Sequence, residues 1–226
     1  MHYNNIKQAT FLERPNRFIA HALVHGQFEV VHVKNTGRCK ELLVPNAEIY
    51  VQESDNPNRK TKWSLIGVRK GDKLINMDSQ APNKVVKEWL LEGKLFNNIT
   101  HIKSEAKYKG SRFDFYVEAD GEKVYIEVKG VTLENDGVAM FPDAPSERAV
   151  RHVEELIEAR KEGYQAYVIF VIKMKGICYF TPNHFTHPAF KEVLIRAKEN
   201  GVDLLAYDCI VKPDSLEIDE PVLIRL

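Results

Sequence analysis

The sequence predicts a two-part architecture, in which a small β-barrel is followed by an α/β domain with a mixed sheet. Residues 1–82 contain short alternating runs separated by turn residues, a pattern typical of small barrels. From residue 83 onward, helical and strand-like segments alternate, which favours a sheet covered by helices. The predicted domains are therefore 1–82 and 83–226, and the fold class is α/β in the second domain and α+β overall.

The first region is predicted to contain several short strands joined by polar turns. The strand-like runs are Ala22–Val33 with a break at Gly26, Ala47–Gln52, Trp63–Arg69 and Lys73–Asn76. A five-stranded oligonucleotide-binding (OB) barrel is one option for such a pattern.

In an OB-like barrel, basic residues outside the strands would contact phosphates, and these are Arg38, Arg59, Lys60 and Lys62. Aromatic side chains of such barrels stack on bases, which suggests Trp63 or Phe28. Trp63 lies in an apolar strand, so core packing explains it equally well.

The second region is predicted to follow the order α-β-β-β-α-β-α-β. Asn83 and Ser146 are the predicted N-caps of its first two helices. The segments are a helix from Asn83 to about Glu92, strands Thr100–Lys107, Arg112–Glu118 and Lys123–Val128, a helix from Ser146 to Gly163, strand Gln165–Ile172, a helix over Ala189–Asn200 and strand Leu204–Val211. The interval Leu133–Pro145 is predicted to be a long loop.

Asp120-Gly121 predicts a tight type I′ turn between two strands of this region. Residues whose numbers sum to 241 then face each other, which places Asp114 opposite Glu127. Carboxylates this close repel each other and need a proton, a basic neighbour or a cation. A salt-bridge ladder that pairs Asp114 with Lys129 and Arg112 with Glu127 is the alternative to a functional site.

Alternation predicts that this hairpin has one charged and one apolar face. The apolar face would carry Phe113, Phe115 and Val117, and the other face would carry Arg112 and Asp114. On the second strand, Glu127 and Lys129 would join the charged face.

An acid on one arm and Glu-x-Lys on the other, after a helix and a strand, resembles the restriction-endonuclease-like fold and its PD-(D/E)xK motif. The wider sequence resembles the sugar fermentation stimulation protein A family over nearly the whole chain. The motifs that carry this resemblance are Asn35-Thr-Gly-Arg38, Ser104-Glu105, Arg112-Phe-Asp114, Tyr125-Ile-Glu-Val-Lys-Gly130, Phe141-Pro-Asp143, Glu147-Arg148 and His152.

The resemblance implies a DNA-binding protein with an OB barrel and a nuclease-like domain, from a family linked to the regulation of sugar, especially maltose, metabolism. Two readings of function stay open, besides a sugar-binding or purely structural protein, which only the family name favours. The first is a metal-dependent nuclease, and the alternative is a non-catalytic DNA-binding transcriptional regulator that retains the nuclease fold. Single-stranded DNA and RNA are open as partners, and so are the oligomeric state and a homodimer.

Transfer of the nuclease motif makes Asp114, Glu127 and Lys129 the expected catalytic residues. The carboxylates of Asp114 and Glu127 would hold Mg²⁺ or Mn²⁺, since hard oxygen ligands suit these ions. Glu88 on the first helix and Glu105 on the preceding strand are further candidate metal ligands.

Further nucleic-acid contacts are expected from Arg112, Arg148 and His152. Arg148 and His152 are four residues apart, hence on one helical face, and lie near a helix N-terminus, where anions are favoured. An exposed surface pair is the alternative reading.

Composition restricts the other classes of function. The net charge is zero, yet residues 1–103 carry 16 Lys and Arg against 10 Asp and Glu, whereas residues 104–226 carry 16 against 22. The basic part could hold a polyanion while the acidic part concentrates carboxylates. Three widely spaced cysteines and no long apolar segment predict a cytoplasmic protein without a membrane partner.

Overall fold

A computed structural model describes residues 1–35 and 37–226. In its first part, five strands form a sheet in the order β3-β2-β1-β4-β5, which closes into a barrel through the parallel pair β3–β5. A sixth strand extends β5 as a hairpin. The strands are β1 Ile6–Asn16, β2 Ile19–Val24, β3 Gln27–Val33, β4 Glu48–Glu53, β5 Trp63–Lys70 and β6 Lys73–Asn76.

The strand β1 is not visible in the sequence pattern, although it is the longest strand of the barrel. Irregular pairing with β2 between Phe11 and Glu13, and again between Glu13 and Asn16, disturbs its alternation. Such bulges shift the side-chain phase, so a period of two residues does not run through the segment. The run Ala22–Val33 is a hairpin, since His25 and Gly26 both have positive φ and form its turn.

The second part begins with a helix and contains one large mixed sheet and one small sheet. Its elements are α1 Ala81–Leu91, β7 Ile99–Tyr108, β8 Ser111–Ala119, β9 Glu122–Val131, β10 Leu133–Asn135, β11 Val138–Phe141, α2 Glu147–Lys161, β12 Gln165–Ile172, β13 Tyr179–Pro182, α3 Pro188–Glu199, β14 Asp203–Lys212 and β15 Ser215–Pro221. The predicted loop Leu133–Pro145 therefore contains a short hairpin, β10–β11, which pairs with β13.

The large sheet has the order β15-β14-β12-β9-β8-β7. Its centre is parallel, because β12 pairs with β9 on one side and β14 on the other, and the outer strands are antiparallel. Helix α1 packs with Ile169 and Val171 on one face, whereas α2 and α3 pack with Val168 and Phe170 on the other. The described helices have 11, 15 and 12 residues, and none could span a bilayer.

The capping of α1 differs from the prediction, whereas that of α2 agrees with it. Ser146 accepts a hydrogen bond from the backbone N–H of Ala149 and caps α2. Helix α1 starts at Ala81 after Gln80, with Pro82 in its first turn, so Asn83 lies inside the helix rather than at its cap. The proposed boundary between residues 82 and 83 falls within that first turn.

A buried lysine, Lys173, lies at the junction between the barrel and the large sheet. The backbone of Lys173 accepts a hydrogen bond from Asn76 and donates one to Val131, and its Nζ donates to the backbone oxygen of Asp78 at 3.1 Å. Burial lowers the pKa of Lys173 to about 8, although the nearby Asp78 carboxylate acts in the opposite direction. Asp78 is itself buried and accepts a hydrogen bond from Lys34.

We predict that alkaline pH relieves a cost that Lys173 imposes on folding. Its pKa is about 8 in the folded chain against an ordinary value of 10.5, so the unfolded state binds more protons between these values. Stability of the wild type should therefore rise relative to Lys173→Met by about 2 kcal/mol between pH 7 and pH 10. Urea unfolding of both proteins across this range measures the difference, and a difference independent of pH would contradict the prediction.

Candidate active site

The β8–β9 hairpin has the turn and register that the Asp-Gly pair predicts. Asp120 and Gly121 have φ of 52° and 83°, as a type I′ turn requires. Paired residues sum to 241 from Ala119–Glu122 to Phe115–Ile126. The ladder ends there, so Asp114 and Glu127 lie one step beyond its last pair.

Strand β8 changes face at the point where this ladder ends. Phe115 and Val117 pack with Ile126 against α1, as alternation predicts. Phe113 packs instead in the core on the α2 side, with its ring centroid 5.2 Å from that of Tyr125. The prediction of one continuous apolar face is therefore wrong at Phe113, where β8 is no longer paired with β9 and remains paired only with β7.

Glu127 is the buried centre of the site. Its Oε1 accepts hydrogen bonds from Lys129 Nζ at 2.7 Å and from His152 Nδ1 at 2.6 Å. Its Oε2 is buried and has no hydrogen-bond partner among the described residues. Burial raises the pKa of Glu127, but the hydrogen bond from His152 and the charge of Lys129 together lower it by more. The pKa of Glu127 is therefore below its ordinary value. The ionised carboxylate thus presents one oxygen that residues 1–35 and 37–226 do not satisfy.

His152 holds Glu127 rather than lying on the surface. It is only 3 % exposed, so the alternative of an exposed surface pair does not hold for His152. Its Nε2 accepts a hydrogen bond from Arg148 Nε at 3.3 Å, and a guanidinium can only donate. The proton therefore lies on Nδ1, which donates to Glu127. The predicted proximity of Arg148 and His152 on one helical face is observed.

Asp114 contacts the helix on the opposite side of the sheet. Its Oδ1 accepts a hydrogen bond from Asn83 Nδ2 at 2.7 Å, and its Oδ2 accepts one from the Val128 backbone N–H at 2.7 Å. Burial and, second, the charge of Glu127 raise the pKa of Asp114 to about 6, against the hydrogen bonds from Val128 and Asn83. Asn83 is thus a site residue that sequence reasoning assigned to a helix cap. A polar side chain inside a predicted amphipathic helix was its only signal.

The other two predicted metal ligands are engaged elsewhere. Glu88 forms an ion pair with the Met1 ammonium at 2.7 Å. Glu105 has a φ of 54°, is exposed, and lies 3.6 Å from Arg112. Within residues 1–35 and 37–226, no cluster of three or more His, Cys, Asp or Glu side chains is arranged to hold a metal ion. The two diagonal salt bridges of the predicted ladder are likewise absent from the ion pairs of these residues.

A basic cleft of about 770 Å³ opens beside this site. The cleft reaches His152, the hydrogen-bond partner of Glu127. Its lining includes the predicted contacts Arg112 and Arg148, together with two bases that sequence reasoning did not select, Lys107 and Arg151. Arg151 lies one helical turn after Arg148, so helical spacing from Arg148 was the signal that could have identified it.

The barrel residues selected from the sequence differ in their availability. Arg59 donates to Ser64 Oγ at 3.0 Å, and Lys62 is exposed but paired with Glu53 at 2.9 Å. Lys60 is exposed. Trp63 is only 3 % exposed and belongs to the core, whereas Phe28 is 59 % exposed, so of these two aromatic residues only Phe28 can stack on a base.

The loop that carries Arg38 connects the barrel to the second domain. The backbone N–H of Arg38 donates to Asp143 Oδ2 at 3.0 Å, and Arg14 donates to the backbone oxygens of Asn35, Gly37 and Arg38. A Cβ at Gly37 would overlap the Asp143 carboxylate, so a larger residue here would displace the acceptor of the Arg38 backbone N–H. Thr36 of the same motif lies outside the described residues. The Arg38 side chain is exposed and lines a second basic pocket with Arg14.

Comparison with known families decides the identity of this fold. A model of the sugar fermentation stimulation protein RE domain matches residues 80–215, and a model of the SfsA N-terminal OB domain matches residues 12–77. The chain belongs to the SfsA family. The predicted order of an OB-like barrel and a restriction-endonuclease-like, mixed-sheet domain is thereby confirmed.

Relatives of the SfsA family match the chain over its whole length. Sugar fermentation stimulation protein homologues from Clostridium beijerinckii and Ruminiclostridium cellulolyticum are 61 % and 57 % identical, over 98 % and 100 % of both chains respectively. The solved structure of Pyrococcus furiosus SfsA in complex with Ca²⁺ has a TM-score of 0.91 and 25 % identity, covering 100 % of this chain and 98 % of that one.

We predict that His152→Ala destabilises the protein by about 3 kcal/mol, because a buried carboxylate loses one of its two partners. The exposed neighbour Arg151→Ala is the matched control and should change stability by less than about 0.5 kcal/mol. Chemical unfolding measures both values. In a Glu127→Gln background the loss at His152 should shrink, and an unchanged loss would mean that the hydrogen bond to Glu127 is not its cause.

Proposed function

We propose that this SfsA-family chain is a divalent-metal-dependent nuclease that acts on DNA. The observation that carries the proposal is the unpartnered Oε2 of Glu127, a buried and ionised oxygen beside the carboxylate of Asp114. A buried carboxylate oxygen without a donor is costly unless a cation satisfies it.

The donor set fits a hard divalent ion such as Mg²⁺ or Mn²⁺. Glu127 Oε2 and Asp114 would hold the ion, with the Val128 carbonyl as an expected third ligand, because these ions prefer oxygen donors and keep several waters. When bound, the ion supplies a positive charge that polarises the scissile phosphate and lowers the pKa of a coordinated water. The relative from Pyrococcus furiosus was solved with Ca²⁺, which supports a divalent site here.

Lys129 and His152 have separable roles in this proposal. His152 fixes Glu127 in one rotamer through Oε1, since its own tautomer is determined by Arg148. Lys129 is 12 % exposed and close enough to Glu127 to keep it ionised. Its ammonium is the group that would stabilise charge developing on a phosphate.

Nucleic-acid binding is supported by the basic cleft. Four cations line it, against one exposed carboxylate, Glu105. Clustered Lys and Arg along a groove are the usual means of holding a phosphate backbone. DNA is the proposed substrate, and double strands, single strands and RNA are compared in the test.

A second candidate function is a non-catalytic DNA-binding regulator, including one that acts on sugar genes. The observation that favours it is the satisfaction of Asp114, because each of its oxygens already accepts a hydrogen bond from the protein. With only two acids at the site, metal affinity would be weak. This candidate predicts binding without cutting.

We predict Mg²⁺- or Mn²⁺-dependent cutting by the wild type and a loss of at least about 100-fold in Glu127→Ala, since removal of the central ligand abolishes the metal's contribution. The substrates are a plasmid, a labelled single strand and a labelled RNA. Glu158→Ala is the matched control, because Glu158 is an exposed acid of α2 that pairs with Lys161 on the same helix.

The outcomes separate the two candidates. Equal cutting by Glu127→Ala and the wild type would assign the activity to a contaminant and reject the nuclease. Binding without metal-dependent cutting would favour the regulator. Isothermal titration of Mn²⁺ into wild type and Glu127→Ala tests the metal site independently of activity.

We predict that Arg112→Glu/Arg151→Glu weakens DNA binding and lowers the salt slope, log Kd against log salt, by about 0.9 for each phosphate that the variant no longer neutralises. Arg59→Glu/Lys60→Glu/Lys62→Glu tests the barrel in the same way. Fluorescence anisotropy over a series of salt concentrations measures both slopes. An unchanged slope would remove the corresponding surface from the interface.

A further inference from the structure

Phe185 is the most exposed large hydrophobic side chain of the described residues, at 85 %. It lies between β13 and α3, where the chain turns back toward the core. The ring of the preceding His184 is 3.9 Å away between centroids, at an interplanar angle of 37°. An aromatic side chain left this exposed gains nothing from folding of the chain itself.

The loop that carries Phe185 is held in place by hydrogen bonds of Asn183. The Asn183 side chain donates to Thr186 Oγ1 at 2.8 Å and to the Pro142 carbonyl at 3.0 Å. The Asn183 backbone N–H donates to Phe141, and its carbonyl accepts from His187. Asn183 is itself buried. Such bonding closes the loop around one buried amide and leaves the Phe185 ring outside, which is a preorganised arrangement for contact with a partner.

This loop lies against the start of α2, which lines the basic cleft. His187 Nε2 is 3.7 Å from a carboxylate oxygen of Glu147, the first residue of α2, and Arg148 follows directly. His187 is 7 % exposed, and its Nε2 is buried without a hydrogen-bond partner among the described residues. Pro142, to which the loop is bonded, is followed by Asp143, the partner of Arg38.

The ends of two helices also meet here, since α2 begins at Glu147 and α3 begins at Pro188. Helix N-termini carry partial positive charge and favour phosphates. Arg148 on one side and Arg38 on the other add positive charge, and the carboxylates of Glu147 and Asp143 lie between them. A chain of phosphates that leaves the cleft past Arg148 would therefore reach the Phe185 loop.

We propose that Phe185 is a wedge that stacks on one unpaired nucleobase of the nucleic acid held in the cleft. The proposal rests on the nuclease or DNA-binding function inferred above and adds a substrate feature, a locally unstacked base. Aromatic side chains on nucleic-acid surfaces take this role, because every base has a π-face, and exposed apolar residues inserted between base steps unstack them. Nucleic acid is the proposed partner because the loop contacts Glu147, the residue directly before Arg148 of the basic cleft.

The test uses two DNA duplexes of equal length, one fully paired and one with a single bulged 2-aminopurine. Both are measured in EDTA, so that no strand is cut. The wild type should bind the bulged duplex about 5- to 100-fold more tightly than the paired one, the range of one base–aromatic stack. It should also quench the 2-aminopurine fluorescence.

Phe185→Ala should lose the preference and the quenching and keep its affinity for the paired duplex. Phe185→Trp should retain both. Leu91→Ala is the matched control, since Leu91 is a 60 % exposed hydrophobic residue of α1 outside the site, and it should behave as the wild type.

Each other outcome overturns the wedge. Equal binding of both duplexes by wild type and Phe185→Ala rejects it, while Glu127-dependent cutting still decides the nuclease separately. Failure of the wild type to bind either duplex rejects DNA binding as well. Sedimentation that shows a dimer dissociated by Phe185→Ala would assign the ring to self-association instead.

Discussion

The burial of an ionised carboxylate, Glu127, in the second domain is the constraint on which the site depends. An isolated charge of this kind would take up a proton, so partners have to reach it from both its own strand and a neighbouring element. Lys129 comes from β9 and His152 from α2. Helix α2 therefore has to pack with one register against the sheet, and that register also brings Arg148 and Arg151 to the cleft.

The second acid depends on the other face of the sheet. Asp114 is held by Asn83 of α1, so the two carboxylates are positioned by helices on opposite sides of β9. Helix α1 is fixed in turn by Pro82, whose ring occupies the space that a side chain at Gly130 would need. Only residues 77–80 separate α1 from the last barrel strand, β6, so Asn83 joins Asp114 to the barrel through one short segment.

The sequence predicted those parts of this arrangement that local chemistry determines. The hairpin register follows from Asp120-Gly121, and the strand Gln165–Ile172, which is apolar from Ala166 onward, lies at the centre of the large sheet. Contacts between residues far apart in the sequence determine the role of Asn83, the burial of His152 and the change of face at Phe113. No local residue pattern predicts such contacts. Strand β1 was missed for a local reason, since its bulges break the alternation that marks a strand.

The position of the charged residues in the structure differs from what the charge totals of the sequence predict. The basic excess before residue 104 and the acidic excess after it predicted a division of labour, yet the bases that line the main cleft all come from the acidic part. Some of the excess charges instead form ion pairs between the two domains. The ammonium groups of Lys70 and Lys73 lie 2.8 and 3.5 Å from the carboxylate of Glu134. Opposite excess charges therefore help to hold the barrel to the small sheet of the second domain. The local field in the cleft is set by the residues that line it, where four cations face one carboxylate, Glu105, whatever the sum over the domain.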